Sequence, residues 1–237
     1  HAKSEADTNC VRPVMSRDNV TLWTRATARR LLTDAAGRRV VGVEVERDGE
    51  VKRVDTQVVV VSCGAVNSAA LLLRSATDRY PDGLANSSGL IGQRYMAHLA
   101  TMMQGFHPFR KNGTDFQKTV AINDFYFSGP DCSYPLGHIQ SQGRVQGAVA
   151  KAGASTGRMS RRFMAQLFPV WAYDAWCARG HDWLAMTEDL PRAENRITLD
   201  RQGRIRLAYR PNNISAHEQL VDEMKRALLK LGFWTVV

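Results

Sequence analysis

Hydrophobic positions along this chain change their period more than once. In "VVGVEVE", residues 40–46, Val41, Val43 and Val45 fall on alternate positions, the period-two pattern of a strand with one wet face. "NVTLW", Asn19 to Trp23, alternates in the same way and predicts another strand, with Ala28 to Leu32 extending it or starting the next. Gly37 breaks the chain between them, and Asp48-Gly49 in "RDGE" predicts a tight hairpin turn because that pair readily takes positive φ. Val51 to Val54 returns, completing a meander. Val58 to Val61 then drops the alternation. Four valines in a row predict a strand buried on both faces, the signature of a parallel sheet covered by helices. Small residues follow at Ser62-Cys63-Gly64-Ala65, and Asn67 to Arg74 has helical length, with Leu71, Leu72 and Leu73 available to the sheet.

After His98 the texture becomes that of alternating strands divided by polar turns: "HLATMMQGF", "FQKTVAINDFYF", "YPLGHIQSQG", "HDWLAMTEDL", "NRITLD" and "RIRLAYRP", with "DRQG" at 200–203 as a hairpin turn. An antiparallel sheet is expected there. Residues 143–168 read as an excursion or lid, weakly helical from Met159 to Phe168. Phe163, Phe168, Trp171, Tyr173 and Trp176 suit either an apolar ligand site or a core cluster. Near the end, Ser215 and Glu218 have capping-box spacing. Leu220, Met224, Ala227, Leu228 and Leu231 form a helical apolar stripe, and Gly232 stops it. The fold class is therefore α/β in the α+β mixed sense. Residues 1–97 are expected to form one domain and 98–237 a second.

Composition narrows the function classes. The 237 residues carry a formal charge of +9, but the arginines are scattered. Apart from Arg158, Arg161 and Arg162 no basic cluster appears, and none interleaves with aromatics, so nucleic acid is excluded as a partner. Apolar runs fall short of the roughly 20 residues of a membrane span. Cys10, Cys63, Cys132 and Cys177 include no C-x-x-C pair and the histidines no H-x-x-x-H, so no metal site is expected. Reduced thiols and a cytoplasmic location are the default.

The stretch Val58 to Ser75 carries the chemistry. A strand end, a small-residue corner and a helix start lie where ligands sit in open α/β sheets. A helix N-terminus offers free N–H groups and partial positive charge to a phosphate-bearing ligand. The same corner also suits plain packing. Cys63 sits where a thiol pKa can fall, yet reads as a small packing residue. Glu188 and Asp189 form an acidic pair of the kind that usually marks a solvated strand end.

These residues also resemble a known family. Gly64-Ala65, Val66-Asn67, Ser68, the leucines and Ser75-Ala76 are similar to the second signature of the glucose–methanol–choline (GMC) oxidoreductases, flavoproteins that oxidise alcohols with FAD. Ala69 and Ala76 depart from the family's usual Pro and Gly. "CVRPVMSRDNVTLWTRATARRLL", "GLANSSGLIGQRYMAH" and "EDLPRAENRITLDRQGRIRLAYRPNN" extend the resemblance in family order. It implies part of an FAD-binding Rossmann-like domain followed by an antiparallel-sheet substrate domain. Ser62, Cys63, Gly64 and Asn67 are then expected to face FAD, with His98 near the isoalloxazine or simply leading its strand. Ala28 stands where a family valine contacts adenine through its backbone, or is a plain strand residue.

The family's G-x-G-x-x-G turn and its C-terminal catalytic histidine have no counterpart here, and the chain opens with His1 rather than Met. An internal fragment is expected, inactive and weakly FAD-binding by itself, with no catalytic residue of its own. The reaction implied is hydride transfer from the CH–OH group of a small alcohol to flavin, with oxygen or a carrier as electron acceptor. The alternative is a non-catalytic truncated or degenerate scaffold of the same family.

Overall fold

A type I′ two-residue turn needs positive φ at both central positions, and Asp48 and Gly49 supply 53° and 85°. They join β2 (Val40–Arg47) to β3 (Glu50–Asp55). On the other side β2 pairs with β1 (Ala26–Thr33), through a turn in which Gly37 takes φ 66° and the Asp34 carboxylate accepts the Arg38 N–H at 2.8 Å. The computed structural model describes residues 4–114, 116–156 and 159–236. His1, Ala2, Lys3 and, from the basic cluster, Arg158 lie outside them.

The chain forms two compact units. The first holds residues 1–95 and 193–208. Its three-stranded sheet β1–β2–β3 is antiparallel throughout, and α1 (Gly64–Arg74) packs on it through Leu71. Leu31, Leu71 and Leu84 form the core, joined by Val40, Val43, Val59 and Val61. A buried hydroxyl ties sheet to helix. Ser75 Oγ accepts the Leu31 N–H at 2.9 Å and donates to the Leu71 carbonyl at 2.7 Å. The hairpin β8 (Arg196–Leu199) and β9 (Ile205–Ala208) completes the unit. Ile197 N–H donates to the Gly92 carbonyl at 2.7 Å, and Arg74 donates to the Gly203 carbonyl at 3.0 Å. Gly92 sits at φ 81°, and a Cβ there would collide with the Ile197 carbonyl.

Two expected strands of this unit are absent. Val58–Val61 pairs with no strand of a ladder. Val59 and Val61 enter the core, while Val58 and Val60 are 76% and 81% exposed. A two-face strand needs layers on both sides and paired edges, and the described residues cover only one face. Asn19–Trp23 likewise finds no pairing strand, and the Trp23 ring instead lies 5.4 Å from the Arg47 guanidinium.

The second unit holds residues 96–192 and 209–237. Its antiparallel sheet runs in the order β10–β4–β7–β6–β5. The central pair is β4 (His98–Phe106) and β7 (Gly180–Glu188), in register from His98↔Glu188 to Phe106↔Gly180. β6 (His138–Gly143) lies on the far side of β7, and β5 (Ala121–Ile122) and β10 (Thr235–Val236) are short edges. Most of the strand expected over 116–127 is loop, broken by Lys118 at φ 58°.

One sheet face is covered by α5 (Ile214–Lys230), whose Leu220, Met224 and Leu228 bury against Leu136, Ile139, Trp183 and Ala185. Full burial of each such side chain is worth about 1.5–3 kcal/mol. The expected stripe is therefore present, although Leu231 ends up exposed, and Gly232 terminates it at φ 88°. The Ser215–Glu218 capping box is not. Asn213 is the N-cap, at φ 59°, and its amide donates to the Glu188 carbonyl at 2.9 Å. Starting the helix there puts Ser215 inside the first turn.

The excursion is three helices, α2 (Gly147–Thr156), α3 (Met159–Leu167) and α4 (Val170–Cys177). Asp174 accepts the Gly147 N–H at 2.9 Å, linking α4 to the start of α2. The described residues form a mixed α/β structure, and every strand pairing among them is antiparallel.

Candidate functional site

The corner that opens α1 is solvent-exposed at Ser62, Cys63, Gly64 and Asn67. Gly64 sits at φ 78°, a conformation strained for any other residue, and a Cβ there would meet nothing within 4 Å. The space above the backbone is open. No side chain caps the helix and its first turn holds no acidic residue, so its first N–H groups, which have no intrahelical acceptor, are left without a capping side chain. Cys63 is not the packing residue expected. It is exposed at the N-cap, and its N–H donates to Ser68 Oγ at 3.0 Å. Ala28 belongs to the same unit but is packed on the Leu31–Leu71–Leu84 core, beside a β-bulge between Ala28 and Arg30.

His98 lies in the second unit, where its strand position opposite Glu188 places both on one sheet face. Met186 of β7 and His138 of β6 oppose each other on the next row of that face. These residues line a cleft of about 760 Å³ walled by Tyr126, Phe127 and Tyr134. Tyr126 and Phe127 meet edge to face, with centroids 5.1 Å apart. His138 Nδ1 lies 3.3 Å from Asn123 Oδ1. The sequence pattern assigned Tyr126, Phe127 and His138 to strands. The turn residues around them, "IND" before and "PLG" between, are the signal that their loop can wrap onto a sheet face.

The excursion's aromatic residues, which suited either a ligand site or a core cluster, do not gather in that cleft. Phe163, Phe168, Trp171 and Trp176 are exposed on the excursion. Trp176 serves as a tether: its ring stacks on Phe106 at 4.3 Å, and its Nε1–H donates to Gln104 Oε1. Gln104 in turn donates to Asp182 at 2.9 Å, and Val145 N–H reaches the other Asp182 oxygen at 3.1 Å. Burial pushes the Asp182 carboxyl above its usual range despite these bonds. Burial, followed by the nearby Asp182 and Asp174 charges, also pushes the Cys177 thiol up.

Asp189 corrects a second reading. It is 3% exposed rather than a solvated strand end. Its carboxylate accepts the Ala97 N–H at 3.0 Å and the Tyr209 hydroxyl at 2.6 Å. Behind the sheet, His217 of α5 bridges Thr101 Oγ1 at 2.7 Å and Thr187 Oγ1 at 3.1 Å. Burial lowers its pKa, more than the Glu218 charge raises it.

Residues 1–100 match the family model described as GMC oxidoreductase. It is 34% identical over 148 residues to 6'''-hydroxyparomomycin C oxidase of Streptomyces lividus, a match covering 58% of this chain and 27% of that protein. With paromamine 6'-oxidase of Streptomyces fradiae it shares 37% identity over 146 residues, 57% of this chain and 27% of that one. With 2-methyl-1,2-propanediol dehydrogenase of Mycolicibacterium austroafricanum it shares 28% over 206 residues, 78% and 36%. The chain thus spans between 27% and 36% of the length of these relatives. Among the described residues no helix is long and apolar enough to cross a membrane, and no cluster of His, Cys, Asp and Glu is arranged to hold a metal.

Proposed function

We propose that this chain serves the flavin-dependent oxidation of an alcohol CH–OH group, with residues 1–97 on the FAD side and 98–237 on the substrate side. The observation that carries this reading is the open, uncapped helix start at Gly64 in a segment of GMC type. It fits FAD because a dinucleotide's phosphate can approach the backbone there without meeting a side chain. Ser62, Cys63, Gly64 and Asn67 hold the cofactor through backbone N–H groups. Ala28 contributes by its backbone at the β1 bulge, and His98 marks the substrate side. Bound flavin accepts the hydride. This chain supplies binding surface, and no proton-transfer step is assigned to its residues. A cytoplasmic location belongs to the same reading and is supported by the four free thiols.

The test is flavin content, by absorbance, of protein expressed with whatever flanking sequence its gene supplies. Gly64→Leu lowers content at least about tenfold, while Ser62→Ala and Asn67→Ala, which keep the backbone, leave it unchanged. Flavin retained in full by Gly64→Leu returns the corner to ordinary packing.

A further inference from the structure

The helical excursion of the second unit turns apolar side chains outward. On α3, Met159, Phe163 and Leu167 recur every fourth residue and so share one side of the helix. They are 84%, 61% and 59% exposed. Ala165, two residues past Phe163 and therefore on the opposite side, is buried. Phe168, Val170 and Trp171 carry the exposed apolar run into α4, and Trp171 is 72% exposed. A surface helix of a globular protein ordinarily does the reverse, with its apolar stripe inward. The same stretch is basic. Residues 143–177 hold Arg144, Lys151, Arg158, Arg161 and Arg162 against Asp174 as the one acid, a net +4 of the chain's +9. That acid is already engaged, accepting the Gly147 N–H.

We infer that this face is a docking surface for an anionic membrane, with α3 lying in the headgroup layer. An apolar stripe on one side of a helix, with basic residues in the same segment, binds the lipid boundary without spanning it. Methionine, phenylalanine and leucine side chains reach the acyl region, and a tryptophan ring favours the headgroup level. The basic excess supplies attraction to anionic headgroups. A protein partner would need a surface shaped to side chains this flexible, whereas a lipid surface needs only the stripe and the charge. The inference does not rest on the function proposed above, and its assay contains no flavin.

Flotation of the 237-residue chain with lipid vesicles tests this. Equimolar phosphatidylcholine–phosphatidylglycerol vesicles bind it at least about tenfold more strongly than phosphatidylcholine alone, and salt at roughly 0.5 M removes most of the difference. Phe163→Gln combined with Leu167→Gln lowers partitioning at least about tenfold. Both positions are exposed, and far-UV circular dichroism checks that the double variant keeps its fold. Acyl-chain-brominated lipid quenches the tryptophan fluorescence, and Trp171→Phe reduces that quenching. The inference is overturned if anionic vesicles do not bind, if neutral vesicles bind as tightly, or if the double variant partitions like the wild type. Quenching unchanged by Trp171→Phe overturns it too. So does sedimentation that finds an oligomeric wild type and a monomeric double variant with no vesicle binding, which assigns the stripe to a protein interface.

Discussion

Ser75→Ala removes one oxygen atom and changes almost no volume, so its cost isolates a hydrogen bond. Ser75 is fully buried, and its Oγ is the acceptor for the Leu31 N–H at 2.9 Å. The Leu71 carbonyl keeps a partner without the hydroxyl, since the Ser75 N–H donates to it at 3.1 Å. The uncompensated loss is therefore the Leu31 N–H, in a residue only 4% exposed. A buried donor left unsatisfied costs about 1–3 kcal/mol, a factor of roughly five to 150 in the unfolding equilibrium of the first unit. Urea unfolding reads the stability, and amide hydrogen exchange at Leu31 reads the site. The expected result is a lowered midpoint with an unchanged slope and faster Leu31 exchange. Ser62→Ala, at an exposed position, stays within about 0.5 kcal/mol. Ser75→Ala within that same margin would falsify the view that this hydroxyl joins β1 to α1.

Gly92→Ala forces φ 81° on a residue with a Cβ and drives that atom into the Ile197 carbonyl. The expected loss is at least about 1–3 kcal/mol, with deprotection of residues 195–199 in hydrogen exchange, and wild-type exchange there would contradict the docking described. For His217, burial holds the folded pKa below the ordinary 6.5. The unfolded chain then protonates first, so the stabilising contribution is whole above 6.5 and is lost as pH falls through the folded value. Denaturation midpoints measured from about pH 7.5 to about pH 5.5 fall in the wild type and fall less in His217→Gln. His181, lowered in the same direction by burial, keeps some slope, and equal slopes in the two proteins would exclude His217 as a contributor.

Local signals in the sequence carry through to the structure where the physics is local. The Asp48-Gly49 turn, the break at Gly37 and the Leu220–Met224–Leu228 stripe depend on residues within a few positions of one another. Readings that need distant partners fare differently. Four valines at 58–61 signal appetite for burial but cannot say what covers them, and one face of the segment stays in water. Asp189 looks solvated in sequence because Ala97 and Tyr209, which satisfy it, are remote. The cleft escapes notice for the same reason, since His98, His138 and Glu188 meet only through strand register. Asn213 hides the true helix start, because a left-handed N-cap bonded to a strand end leaves no capping-box spacing.

The first unit is discontinuous, with its β8–β9 hairpin arriving almost a hundred residues after the rest. That arrangement makes completion of the first unit a long-range event along the chain. A random chain closing the Arg74–Gly203 contact, 129 residues apart, loses about 4 kcal/mol of loop entropy. Pairing of β4 with β7 in the second unit shortens that path wherever it comes first: Asp189 holds Ala97 across 92 residues of sequence, by a carboxylate bond at 3.0 Å and a backbone bond at 3.2 Å. Only a few residues remain between that clamp and the Gly92–Ile197 bond on each strand. During synthesis the first unit stays unfinished until residue 208 has left the ribosome.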